Sequence, residues 1–223
     1  MVEITTKYKI GVRRFGSVNW VGAWTLYKKE VLRFLNVWIQ TIFSPIVTAM
    51  LFLLVLSLAI GNDRGEVLGV SFIAFLAPGL IAMQVIQQAF SHSASSFMIK
   101  KIDGSIVDIL YAPLSPGEVT LAVILSAVTR SVFIAAISII TFYFIIEIFI
   151  SNYLTLIIFT FLSSFILGAT GMIAGLWAEK FDHMATVTNF IIVPLSFLSG
   201  TFYTIDRLPH FLQIVSKANP FFY

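Results

Sequence analysis

Five long runs with almost no charge constrain this chain more than any other feature. They cover residues 41–60, 70–90, 121–146, 153–177 and 185–202. Each is close to or beyond the roughly 20 residues that a helix, rising 1.5 Å per residue, needs to cross a hydrocarbon core. In lipid a spanning segment must pair its own backbone N–H and C=O groups, which leaves helices and closed barrels. The alternation of barrel strands is absent. The expected fold class is therefore all-α: a polytopic membrane helix bundle with five transmembrane helices. Composition supports this. Charged residues make up 11% of the chain, against about 25% in soluble domains. There is no cysteine, so disulfides, thiolate metal sites and a Cys nucleophile are excluded.

Basic residues set the expected orientation. Lys7, Lys9, Arg13, Arg14, Lys28, Lys29 and Arg33 precede the first run, Lys100 and Lys101 follow the second, and Lys180 follows the fourth. The opposite connections and the tail carry only Arg64, Arg207 and Lys217. The N-terminus is expected in the cytoplasm. The first long apolar run lies too far along the chain for a cleavable signal peptide.

Trp20, Trp24, Tyr27, Val31, Phe34 and Trp38 recur at helical spacing, with Lys28, Lys29 and Arg33 mainly off that stripe. This predicts an amphipathic helix in the interface, its cations toward water and anionic lipid. Past the fifth run, Leu208, Phe211, Leu212 and Val215 predict a short outer helix, interfacial or re-entrant, ended by Asn219-Pro220. One domain is expected over 1–223: cytoplasmic and interfacial helix at 1–40, spans at 41–202, outer segment at 203–223.

Enzyme signals are weak. His92, His183 and His210 fall in separate segments without metal-ligand spacing, and there is no P-loop. Ser199-Gly200 is better read as small-residue packing than as a nucleophile turn. The Asn-Pro-x-x-Tyr string at 219–223 is read as chance. Arg130 is the one charge inside a span, where it costs about 2.5–3.5 kcal/mol on insertion scales. Gln84, Gln87 and Gln88 are its candidate partners, in a structural network or a gate. Gly168, Gly171 and Gly175 form a small-residue face for close helix packing, within the chain or between copies.

Residues 95–119, "SSFMIKKIDGSIVDILYAPLSPGEV", are too polar to span. They carry an apolar stripe (Ile102, Ile106, Ile109, Leu110), with Lys100, Lys101, Asp103 and Asp108 beside it. Pro113 and Pro116 break the pattern before the third run. A short cytoplasmic helix held rigidly for contact with something outside the membrane is expected.

Four stretches together resemble the permease subunit of ABC-2 type exporters. They are "KKEVLRFLNVWIQTIFSPIVTAMLF", "FLAPGLIAMQVI", "SIVDILYAPLSPGEV" and the closing "FDHMATVTNFIIVPLSFLSGTFYTIDRLPHFLQIVSKANPFFY". The resemblance implies export of a lipid, polysaccharide or drug-like substrate across a bacterial inner membrane by alternating access. It implies a second permease copy, a homodimer, and a separate P-loop ATPase that binds ATP and Mg. This chain would hold no cofactor, act on no nucleic acid and not itself be an enzyme. The 95–119 loop and the interfacial helix would contact the ATPase. Pro113, Leu114 and Pro116 would fix the geometry, Ile109 would belong to the contact face, and Lys101 and Asp108 would steer docking. The family usually has six spans, so a sixth is expected past Tyr223. The alternative is an integral-membrane enzyme acting on a lipid-embedded substrate, which would need an acid/base pair in one cavity.

Overall fold

The apolar runs form helices whose lengths follow the bilayer. In the computed structural model residues 16, 18–64, 66–67, 69–146, 152–201, 208–219 and 221 are described. Helix α1 (Trp20–Asn36) leads through a π-helical turn (Ile39–Phe43) into α2 (Ser44–Arg64). A two-residue hairpin, β1 (Glu66–Val67) and β2 (Val70–Ser71), pairs Val67 with Val70. Its turn holds Gly69 at φ 80°, a conformation glycine adopts without strain. Then come α3 (Phe72–Ile102), α4 (Ile106–Tyr111), α5 (Pro116–Tyr143) and α6 (Tyr153–Trp177). Helix α7 (Phe181–Val187), a second π turn (Thr188–Ile192) and α8 (Val193–Phe197) follow without a break, and α9 (His210–Ala218) comes last.

Among the described residues four helices are long and apolar enough to cross a membrane: Ile39–Ala59, Phe72–Ile102, Pro116–Tyr143 and Tyr153–Trp177. This is an all-α, multi-pass membrane bundle. The fifth expected run corresponds to the α7–α8 stretch, which begins and ends earlier than 185–202. It stops after Phe197, where Leu198 leaves the helical region and Gly200 takes φ 83°.

Helix α3 is 31 residues long, about 46 Å at 1.5 Å per residue. That exceeds a ~30 Å hydrocarbon core by about ten residues. The predicted separate helix in 95–119 is therefore two things. Residues 95–102 are the projecting end of α3, and only Ile106–Tyr111 form a helix of their own. The split falls at Gly104, whose φ of 74° no regular helix accepts. Pro116 does not break a helix but opens α5 at its first position, where its missing N–H costs nothing.

Helix α3 lies at the centre, packed on α2, α5 and α6. One apolar cluster joins Leu53, Phe72, Leu76 and Phe142, and a second joins Phe90, Ala94, Leu167 and Ile192. The three α6 glycines are buried and pack within the chain. A Cβ on Gly175 would lie 2.6 Å from the Ala94 carbonyl oxygen, and one on Gly168 3.3 Å from the Ala127 Cβ. One on Gly171 would overlap the Phe90 carbonyl.

The outer helix forms as α9, but its inward face is rotated from the predicted one. Ser216 and Asn219 are buried, while Phe211 is 73% exposed. Asn219 sets that rotation: its Nδ2 donates to the Leu195 carbonyl at 2.6 Å and its Oδ1 accepts from the Phe221 N–H at 3.0 Å. Lys7, Lys9, Arg13, Arg14, Arg207, Pro220, Phe222 and Tyr223, and the connection at 147–151, lie outside the described residues.

Candidate functional site

At the end of the bundle where α3 projects, α4 sits on a corner fixed by two caps. Ser115 Oγ accepts from the Glu118 N–H at 3.4 Å and Glu118 Oε2 accepts from the Ser115 N–H at 2.6 Å, a closed capping box. The other Glu118 oxygen takes the Asn19 N–H at 2.6 Å. Asn19 caps α1 through the Gly22 N–H at 2.9 Å, and its Nδ2 donates to the Pro113 carbonyl at 3.1 Å. Leu114 fills the space left by Gly22, where a Cβ would lie 2.7 Å from the Leu114 Cδ2. Pro113 and Leu114 thus join the start of α1 to the start of α5, which Pro116 opens.

On this corner α4 has no buried residue. Leu110 is 75% and Tyr111 86% exposed, Val107 and Asp108 are exposed, and Ile106 and Ile109 are half-buried. Lys101 does not stand free beside them. Its Nζ donates to the Ala178 carbonyl at 3.0 Å and to that of Leu176, so it caps the C-terminal end of α6. We expect Asn19→Ala to lower stability by about 1 kcal/mol, the usual value of a lost N-cap. Asn19→Asp keeps the cap but loses the donor to Pro113, so unfolding in detergent should show a partial recovery.

Helix α1 runs alongside α5, with Tyr27 Oη 2.8 Å from Thr129 Oγ1 and Phe34 packed on Ile134. Its buried face is Leu26, Glu30 and Phe34; of the predicted stripe Phe34 is buried and Tyr27 and Val31 are half-buried, while the tryptophans leave that face. Trp20, Trp24 and Trp38 point outward, each more than half exposed. Glu30 is 1% exposed. Its Oε1 accepts from Lys100 Nζ at 2.5 Å, and its Oε2 from Ser96 Oγ at 2.9 Å and Arg33 Nε at 3.0 Å. Burial pushes the Glu30 carboxyl up. The Lys100 and Arg33 charges and the Lys100 and Ser96 hydrogen bonds outweigh that and hold it below the ordinary glutamate value. Arg33 also donates to the His92 carbonyl at 3.2 Å, and His92 Nε2 lies 2.9 Å from Ser126 Oγ. Charged and polar side chains of α1, α3 and α5 thus meet in one seam, with Glu30 and Lys100 buried and Arg33 at its open edge. The sequence reading missed it, although Glu30 at four-residue spacing between Leu26 and Phe34 is the signal that marks it.

Arg130 lies deeper, on α5. Its Nη2 donates to Gln88 Oε1 and to the Thr41 carbonyl at 3.4 Å. Of the three expected glutamines only Gln88 bonds it; Gln84 and Gln87 line the same crevice, and the buried Gln87 Nε2 has no partner. The crevice, about 530 Å³, lies between the π turn and start of α2 on one side and α3 on the other.

Residues 22–223 match the ABC-2 type transporter family. The chain belongs to that family. It is similar to the inner membrane transport permease YadH of Escherichia coli K12, 30% identical over 92% of this chain and 80% of that protein. It is also similar to nodulation protein J of Rhizobium leguminosarum bv. trifolii, 24% identical over 92% of this chain and 78% of that one. The nodulation protein J of Neorhizobium galegae is 25% identical over the same shares. No solved structure matches the chain. As an ABC-2 permease it is a membrane transport protein, from a family that usually works with an ABC ATPase.

Proposed function

We propose that this permease exports a lipid, polysaccharide or drug-like substrate, driven by a separate P-loop ATPase that docks on α4. The carrying observation is the exposed apolar surface of Val107, Leu110 and Tyr111 on a short helix whose C-terminal side is tied down by the Pro113 and Ser115 bonds. A helix this short is marginal by itself, and its rigid placement beyond the span suits contact with a soluble partner. Asp108 and Ile109 join that contact, and Pro113, Leu114 and Pro116 hold its angle. Lys101 supports it from beneath by tying the α6 end to α3. On this reading the α4 end and the N-terminus face the cytoplasm, a second copy completes a homodimer, ATP and Mg are bound by the partner, and lipid covers the outward tryptophans of α1. The parts of the chain read as one transmembrane domain.

The test is to purify the chain in mild detergent from its native host, with and without Leu110→Asp and Tyr111→Asp together. The double variant should insert and fold normally, because neither side chain is buried. It should lose a co-purifying ATPase and its stimulation. Unchanged co-purification and unchanged ATPase stimulation would sink the docking role of α4.

A further inference from the structure

The crevice around Arg130 holds a charge that nothing in the described chain balances. Arg130 is 9% exposed. Its only partners among the described residues are the neutral oxygens of Gln88 and Thr41, and its buried Nε has none. No Asp or Glu lines the crevice, and a second guanidinium, Arg33, does. The nearby carboxylate, Glu30, is already held by Lys100, Arg33 and Ser96. A buried ion without a counter-ion is strongly unfavourable. The wall also carries neutral donors, the amides of Gln84 and Gln87 and the hydroxyls of Ser44 and Ser91, while the Thr48 hydroxyl donates to the Ser44 carbonyl.

We infer that this crevice is a binding site for a phosphate group, with Arg130 as its principal ligand. A guanidinium fork matches phosphate oxygens, and amide and hydroxyl donors are what the remaining oxygens need. Its depth fits. Counting about 20 residues of hydrocarbon from Phe72, α3 reaches headgroup level near His92; Gln88 and Ser91 lie within about 6 Å of it and Gln84 about 12 Å below. Its volume of about 530 Å³ falls within the ~300–1,000 Å³ of small-ligand sites. A lipid phosphate and a soluble phosphate compound share this chemistry. The inference rests on the spans and the crevice alone, and needs neither an ATPase nor transport.

The full chain, in neutral detergent, is titrated with phosphatidylglycerol, with phosphate-free diacylglycerol, and with soluble glycerol phosphate, while its unfolding temperature is followed. Phosphatidylglycerol should raise that temperature by ~3 °C or more over diacylglycerol, as a ligand of the folded state does. A matching rise with glycerol phosphate supports a site for the free group; a rise with the lipid alone supports one that also needs the acyl anchor. Gln88→Glu is the decisive variant, because it keeps size and fold and hands Arg130 a built-in carboxylate. It should be more stable than the parent without anion and lose the response, while Gln88→Met should keep it. Arg130→Gln should lose it as well, and failure of that variant to fold would leave the Gln88 pair to decide. An undiminished response in Gln88→Glu, or no response of the parent to either phosphate compound, would overturn the assignment.

Discussion

Replacing Gly171 with leucine will leave no cooperatively folding protein. At this position α6 touches the backbone of α3, and even a Cβ would overlap the Phe90 carbonyl. Backbone cannot rotate away as a side-chain tip can, so the helices must separate. The neighbouring contacts at Gly168 and Gly175 then open too. Overpacking a dense core typically costs about 1–3 kcal/mol, and a whole leucine against backbone belongs at or above the upper end. In lipid no hydrophobic force pulls the helices together again, because association there depends on close packing. Size-exclusion profiles and thermal unfolding in detergent give the readout. Gly117→Ala is the control: a Cβ there meets nothing within 4 Å, so stability should stay within about 0.5 kcal/mol. A Gly171→Leu protein that unfolds within a few degrees of the parent would show that α3 and α6 are not held at this contact.

Glu30→Ala should cost about 3–5 kcal/mol, the usual result of removing one member of a buried ion pair. Lys100 and Arg33 would remain with no carboxylate between them, and Ser96 would lose its acceptor. Glu30→Leu combined with Lys100→Met removes both charges and should recover most of the loss. The pH dependence has a definite sign. Because the folded Glu30 carboxyl sits below its ordinary value, its contribution is complete above the unfolded glutamate pKa of about 4.3. It is lost as pH falls through the lower, folded value. The parent should therefore lose stability in acid more steeply than Glu30→Gln, when unfolding temperature is compared between neutral pH and pH ~3. Parallel curves would mean that the pair is not formed.

What the sequence made legible was set by solvent. Lipid forces length and apolarity on a span, and the 153–177 run coincides with α6 to the residue. Gly171 and Gly175 could be read as a packing face because small residues four apart have few other uses in a membrane helix. Less legible was everything decided by tertiary partners. The tryptophans dominate the aromatic stripe of α1 yet lie on its exposed side, so of that stripe Phe34 alone marked the fully buried face, and Leu26 and Glu30 went unread. The polar end of α3 resembles a loop until α1 is present to bury Ser96 and Lys100. Arg130 was visible as a lone charge, but which glutamine answers it depends on helix rotation, which composition does not carry.

The second π turn has a consequence for what the chain tolerates. Met184, Val187 and Ile192 share one cluster, yet eight residues of regular helix from Met184 would leave Ile192 about 80° around the axis. Absorbing one extra residue in the wide turn at Thr188–Ile192 brings that offset to about 20°. The turn thus takes up one residue more than a regular helix would and cancels it within a single coil. Deleting one residue there would leave the same face buried by a plain α-helix, whereas a deletion elsewhere in the stretch would turn Ile192 away from Met184.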